Sequence, residues 1–422
     1  MGKEFALHNM AVEPSDTGEA LFTRLCPQDM REAFLHRKAQ RIRGPELDEL
    51  VAYIGSDDCV HDLKALASGD FSFPAAHQVK LRKSHSNRKR IIYVYPPRQN
   101  MLMKYLVWGM REYDGLFSDS LYSFRQSVNV AHLFKKVIRN NYAQGLYTVK
   151  VDVHDYGHSI HPELLIPMLR DIMDKRDPKL LAFLEYMLNR NEYLRDGKLV
   201  HASMGGLPGV PVGCFFNNVY LMDLDSAMDA QSQLYSRYAD DICVFVNSAD
   251  EAAEALKQIR ACTLRLGLEL NEDKTQLIEP GGSIELLGIQ IRNGNLDVAD
   301  NTLDKAKSRL THYANKLVRW EHYGKITRQE AAQRMVGRIN RYFYSDGMTE
   351  HNLSWRDFFF HVITRPDSLH QIDLVCQDLI RIVATGKRGN ARYRLRYEDM
   401  RALGYHPLVH EYYLSHKERS TR

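Results

Sequence analysis

The stretch Leu234-Tyr235-Ser236-Arg237-Tyr238-Ala239-Asp240-Asp241-Ile242-Cys243-Val244-Phe245-Val246 decides how this chain reads. An apolar lead-in, two adjacent carboxylates and an apolar run-out predict a strand, a tight acidic turn and a second strand. Neighbouring carboxylates at the rim of a core repel each other and resist desolvation. A chain keeps such a pair most readily when a cation sits between them, which points to a divalent-metal site for phosphoryl transfer. Taken alone, the motif also reads as a polar hairpin tip, where Asp is common.

Working outward, Tyr147-Thr148-Val149-Lys150-Val151-Asp152-Val153 predicts a strand that ends in a carboxylate. A strand-end Asp far upstream of a hairpin-tip Asp-Asp suits a two-metal polymerase palm, with Asp152 and Asp240 bridging both ions and Asp241 in support. Lys80, Lys83, Arg88 and Arg90 precede the first aspartate and suit a triphosphate clamp. Gly205-Gly206-Leu207-Pro208-Gly209-Val210-Pro211 is a Gly/Pro turn before a helix at 215–221. It lets backbone approach a nucleotide closely, and it reads as readily as a plain loop. Lys274 follows Leu266-Gly267-Leu268-Glu269-Leu270-Asn271, where it suits protonation of departing pyrophosphate. Glu285-Leu286-Leu287-Gly288-Ile289 predicts a strand with a glycine where a primer backbone passes.

The rest of the chain fits this frame. Its 422 residues suffice for two or three subdomains, and 26% charged with 44% hydrophobic residues is ordinary for a globular protein. A net charge of +4 is weakly basic, but the basic residues cluster. Lys80 to Arg90 form one patch. Lys387, Arg388, Arg392, Arg394 and Arg396 form another, interleaved with Tyr393 and Tyr397. Cations among aromatics suit a phosphate backbone and stacked bases, although a solvated face reads the same way. The six cysteines show no zinc spacing, and Cys214 and Cys243 read as small core residues of a protein from a reduced cytosol. Met1 to Met10 lack an apolar signal core and no apolar run reaches membrane-spanning length, so a cytoplasmic protein with no membrane partner is expected.

Residues 1–75 predict a helical extension and 76–300 the nucleotide-handling region. Residues 301–422 predict a helical thumb with a basic end. A strand is expected at 91–95, helices through 101–112, within 162–189 and at 250–266, and strands around 234–246 and 284–292. Leu303, Ala306, Leu310, Tyr313, Ala314, Leu317 and Trp320 make one apolar helix face. Thr327 with Glu330 makes a capping box.

Between residues 80 and 345 the chain resembles the reverse transcriptase family. Tyr122-Ser123-Phe124-Arg125 looks like the fingers motif of group II intron and retron enzymes. Asp152–Ile160 looks like motif A, Gly205–Asn218 like motif B, and Tyr238–Asp241 like the YxDD of motif C. Gly267–Thr275 is similar to motif D, and Leu286–Ile289 to the primer grip. The resemblance implies an α+β right-hand polymerase of fingers, palm with antiparallel sheet, and helical thumb. It implies template-directed DNA synthesis from dNTPs with two Mg2+ ions, Mn2+ being able to substitute. Asp152, Asp240, Asp241 and Lys274 would be catalytic, and Asp152, Val153, Asp240 and Asp241 would hold metal. The nucleotide positions would be Lys80, Lys83, Arg88, Arg90, Val153, Tyr156, Gly157, Pro208 and Gly209. Template, primer and nascent cDNA would meet Arg125, Tyr238, Leu287, Gly288, Lys387, Arg388, Arg392 and Arg394.

Two departures stand out. The family's aromatic sugar gate, five residues after the motif A aspartate, falls at Gly157, with Tyr156 one place earlier. Either Tyr156 takes over the gate or ribonucleotides are excluded less strictly. The motif B glutamine is missing between Pro208 and Gly209. The chain shows no maturase zinc or HNH segment, no RNase H carboxylate set and only a partial echo of the retron Val-Thr-Gly at Ala384-Thr385-Gly386. It looks most like the unknown-group, defence-associated reverse transcriptases of bacteria, the type 2 member above all. That implies a dedicated structured noncoding RNA as template and partner, repeated copying of it, and an antiphage role. Two alternatives remain open: untemplated or protein-primed DNA synthesis, and an RNA-binding scaffold of polymerase fold. An RNA polymerase fits less well, since that class carries Gly-Asp-Asp in motif C.

Overall fold

A computed structural model describes residues 19–40, 42–82, 89–125, 130–344, 354–387, 389–390 and 394–420. The chain divides into two compact units, Met1–Leu133 with Gly145–Pro280, and Phe134–Gln144 with Gly281–Arg422. Helices α1 (Leu21–Arg24), α2 (Gln28–Ala39), α3 (Pro45–Ile54) and α4 (Asp57–Ser68) come first, followed by strands β1 (Ala76–Arg82) and β2 (Lys89–Val94) and helix α5 (Pro97–Gly109). Next are α6 (Val130–Arg139), α7 (Tyr142–Gly145), β3 (Tyr147–Asp152), α8 (Tyr156–Ser159), α9 (Pro162–Met173), α10 (Pro178–Asn189), β4 (Glu192–Arg195) and β5 (Lys198–His201). Then come α11 (Gly213–Val219), α12 (Met222–Gln231) and the strands β6 (Leu234–Tyr238) and β7 (Asp241–Val246), which meet at the acidic motif, followed by α13 (Ala249–Arg265) and β8 (Gln276–Ile278). Then follow β9 (Ile284–Leu286), β10 (Ile289–Arg292), β11 (Asn295–Val298), α14 (Asp300–His322), α15 (Arg328–Tyr344), α16 (Trp355–Val362), α17 (Asp367–Thr385), α18 (Tyr397–Ala402) and α19 (Leu408–Ser420).

The first unit holds two four-stranded sheets, ordered β2-β1-β4-β5 and β6-β7-β3-β8. In the second of these, β3 lies antiparallel between β7 and β8. On β3 the fully buried Val149 and Val151 alternate with Thr148, Lys150 and Asp152, whereas β7 is buried from Ile242 through Val246, and Ala252, Ala255 and Ile259 of α13 are buried beside them. Each large apolar side chain buried in this way contributes about 1.5–3 kcal/mol, so this layer gives the acidic hairpin a rigid floor. The first helix belongs to the same core. Buried Asp177 accepts hydrogen bonds from the Leu21 N–H at 2.7 Å and the Leu180 N–H at 2.9 Å, capping α10 and holding α1.

The second unit pairs β9, β10 and β11 with helices α14 to α19. Leu303, Ala306, Leu310, Ala314 and Leu317 of α14 are buried as the periodicity predicts, while Tyr313 and Trp320 stay partly exposed. The capping box forms, with the Thr327 N–H donating to Glu330 at 2.8 Å and the Glu330 N–H to Thr327 Oγ1 at 3.2 Å. Glu285–Ile289 is not one strand. Leu286 pairs with Ile289, and Leu287 and Gly288 form the turn between β9 and β10 at φ 50° and 77°. Two consecutive left-handed residues make a hairpin turn, and Gly288 tolerates that conformation better than Leu287 does. No helix among the described residues is long and apolar enough to cross a membrane.

Candidate active site

The carboxylates meet where two backbone ladders fix them. Asp152 is the cross-strand partner of Asp241, and Tyr238 pairs with Asp241 to close a two-residue turn of Ala239 and Asp240. Cross-strand partners present their side chains on one face of the sheet. The Val153 N–H donates to the Asp240 carbonyl at 3.2 Å, and the Asn271 N–H donates to the Asp152 carbonyl at 2.8 Å. The end of β3 is thus tied to the hairpin tip on one side and to the 269–271 segment on the other.

Charge is concentrated here. Asp152 is 7% exposed. Its Oδ1 accepts from the Lys274 ammonium at 2.8 Å, and its Oδ2 accepts from the Asn271 amide at 3.3 Å. Burial and then the Asp152 charge raise the Asp240 pKa, opposed by Lys274 and Arg90. Burial and the Asp240 charge push Asp241 up to about 6, opposed by Lys150 and Lys274. Burial works against the Lys274 charge, but the hydrogen bond and charge of Asp152, with Asp240 and Asp241, outweigh it and raise that pKa.

Hard carboxylate oxygens facing one another fit Mg2+ or Mn2+. No group of three or more His, Cys, Asp or Glu among the described residues closes into a ready ion cage. Mg2+ does not require one, because it binds through one or two carboxylates and keeps water or substrate phosphate for the other positions. Asp152, Asp240 and Asp241 would hold it, next to the Val153 backbone.

On the nucleotide side, the 205–209 loop is wedged between α8 and β2. The Gly206 N–H donates to the Gly157 carbonyl at 2.9 Å and the Tyr93 N–H to the Pro208 carbonyl at 2.8 Å. A Cβ on Gly157 would lie 3.2 Å from Pro208 Cβ. A Cβ on Gly209, at φ 92°, would lie 2.7 Å from Ile92 Cβ. Glycine is required at 209 by conformation and space alike, whereas at 157 a Cβ would press on the proline and ask it to shift by a few tenths of an ångström. Tyr156 is buried, its hydroxyl donating to the Asn217 carbonyl at 2.7 Å, and burial raises its pKa. Lys80 and Arg90 are exposed on β1 and β2, and Arg90 lies near enough to act on Asp240. Lys83, Arg88, Arg388 and Arg392 lie outside the described residues.

Arg125 turns inward, with its side chain 3% exposed. It donates to the carbonyls of Asp114, Ser118 and Leu121 and pairs with Asp119, which leaves little of it for nucleic acid. Tyr238 has its ring 6.2 Å from that of Phe124. Leu287, Gly288, Lys387 and Arg394 belong to the second unit. The sequence reading missed Asn271 and Lys150 as neighbours of the carboxylates, and the buried pair Arg237–Asp225 beneath the hairpin. The signal for Arg237 was a cation inside a short strand that leads into the apolar β7.

A strand-end aspartate facing an Asp-Asp hairpin on an antiparallel sheet packed by helices defines a right-hand polymerase fold. Residues 81–291, half the chain, match the reverse transcriptase (RNA-dependent DNA polymerase) family. The chain belongs to that family. A solved structure of apo telomerase from Candida tropicalis, truncated from its C-terminal domain, is similar at 13% identity with a TM-score of 0.43. The similarity covers 54% of this chain and 55% of the telomerase, so the match spans about half the length of each. No curated protein matches the chain in sequence.

Proposed function

We propose that this chain synthesises DNA on an RNA template by two-metal catalysis, in the service of antiphage defence in bacteria. The observation that carries the catalytic part is the in-register facing of Asp152 and Asp241 with Asp240 at the hairpin tip. Divalent cations held by these carboxylates would supply the positive charge that offsets the phosphates and readies the primer hydroxyl. Lys80 and Arg90 steady the triphosphate. Gly157, Pro208 and Gly209 let backbone approach the incoming nucleotide, and Lys274 hands its ammonium proton to departing pyrophosphate.

The template is a dedicated structured noncoding RNA, bound through the chain's basic clusters and copied into cDNA, repeatedly if the type 2 resemblance holds. Ordered family motifs, a divergent motif B and the basic, aromatic-rich end near Lys387 and Arg394 support this reading. The test is to purify the protein with its bound RNA, add dNTPs and Mg2+, and sequence both RNA and product. One abundant RNA with complementary DNA is expected. DNA unrelated to the bound RNA would replace this reading with untemplated or protein-primed synthesis.

A further inference from the structure

Arg237 lies directly before the motif C tyrosine and is completely buried, as is its partner Asp225. All five of its guanidinium N–H groups are used. Nε and Nη2 hold the two Asp225 carboxylate oxygens at 2.6 Å each, and Nη2 also donates to the Asn218 carbonyl at 3.0 Å. Nη1 donates to the carbonyls of Asn217 at 3.2 Å and Ala239 at 3.3 Å. Tyr235 supports the same carboxylate through its hydroxyl at 2.7 Å. A buried ion pair alone is weak reason to keep two charges, since apolar residues of similar size often serve stability as well. The three carbonyl contacts are what an apolar pair would not supply.

Those carbonyls belong to separate parts of the site. Ala239 is the turn residue at φ 55°, a left-handed conformation that alanine disfavours, directly before Asp240. Asn217 and Asn218 end the segment whose Asn217 carbonyl also takes the Tyr156 hydroxyl. The Arg237 backbone continues the network: its N–H donates to Ser120 at 2.9 Å and its carbonyl accepts from Tyr122 at 2.8 Å. We propose that Arg237 is a positioning residue that sets the Ala239–Asp241 turn against the end of helix α11, and so couples the geometry of the metal carboxylates to Tyr156 and the nucleotide side. The assignment rests on the polymerase reading of the site. Lysine cannot replace the fork, because a single ammonium cannot reach the carboxylate and three carbonyls at once.

The test compares full-length wild type with Arg237→Lys and with the charge-free double variant Arg237→Met/Asp225→Leu. Mn2+ affinity is read from the free-ion electron paramagnetic resonance signal, and the Mg2+ concentration for half-maximal DNA synthesis is read alongside. Both variants are expected to fold, to bind Mn2+ about tenfold more weakly and to need correspondingly more Mg2+, with activity partly rescued at high Mg2+. Folded variants with wild-type Mn2+ affinity would overturn the proposal. Failure of both to fold would assign Arg237 to the core and overturn it too. Weakened Mn2+ binding in a protein whose wild type makes no DNA would uphold Arg237 while removing the polymerase reading.

Discussion

Asp152 and Asp241 stand opposite each other across the ladder of the two interior strands β3 and β7, one at a strand end and the other at the mouth of a two-residue turn. A register slip of one residue would turn one of them to the apolar face, so the ladder itself specifies the carboxylate pair.

Replacing Asp240 and Asp241 by Asn keeps the shape and removes the charge. DNA synthesis is expected to fall by about a thousandfold or more, since several kcal/mol of charge stabilisation disappears. Circular dichroism and RNA binding should be unchanged. Retained synthesis in a primer-extension assay would refute the metal assignment.

The same carboxylates make the metal-free protein sensitive to pH. Asp241 ordinarily titrates near 3.8 and is pushed up to about 6 here. A folded pKa above the unfolded one adds stability that is complete below the unfolded value and is lost as pH rises through the folded value. Asp241→Asn should therefore melt above wild type at pH 7.5 in chelator, by about 1–2 degrees, or about 1 kcal/mol after solvent screening. The gap should narrow toward pH 4.5. A gap that is the same at both pH values would contradict the assigned shift.

Gly157 and Gly209 should respond differently to alanine. At Gly209, positive φ and the 2.7 Å approach to Ile92 Cβ predict a loss of about 2–3 kcal/mol in urea unfolding. At Gly157, the 3.2 Å contact with Pro208 Cβ predicts about 1 kcal/mol, with a raised KM for dNTP as the loop shifts. Equal effects would mean that the loop does not pack as described.

Tyr156→Ala is expected to raise ribonucleotide incorporation, and Tyr156→Phe, which loses only the bond to the Asn217 carbonyl, should not. Single-nucleotide incorporation ratios for rNTP over dNTP decide it. Ratios unchanged by alanine would remove Tyr156 from sugar selection.

The acidic hairpin, the strand ending at Asp152 and the Thr327–Glu330 cap were legible because each depends on local pattern. Arg125 read as a nucleic-acid contact because its carbonyl partners at Asp114 and Ser118 become neighbours only when the loop folds back. The Arg237–Asp225 pair spans a helix and a strand, so composition could flag the cation but not its partner. Asp196-Gly197 and Asn293-Gly294 carry the strongest short hairpin signal and form such turns, at φ 51° and 78° and at φ 49° and 71°. The strands they join are only four residues long, so little apolar alternation flanks either signal.

The bond from the Leu21 N–H to Asp177 joins residues 156 positions apart. At a synthesis rate of about 5–20 residues per second, the ribosome delivers Asp177 roughly 8–30 s after Leu21. Throughout that interval the apolar faces of Leu21, Phe22 and Leu25 have no finished core to enter. Leu21 therefore gains this partner only after helix α10 has been made, so the residues between them must stay able to fold back onto α1 throughout that interval.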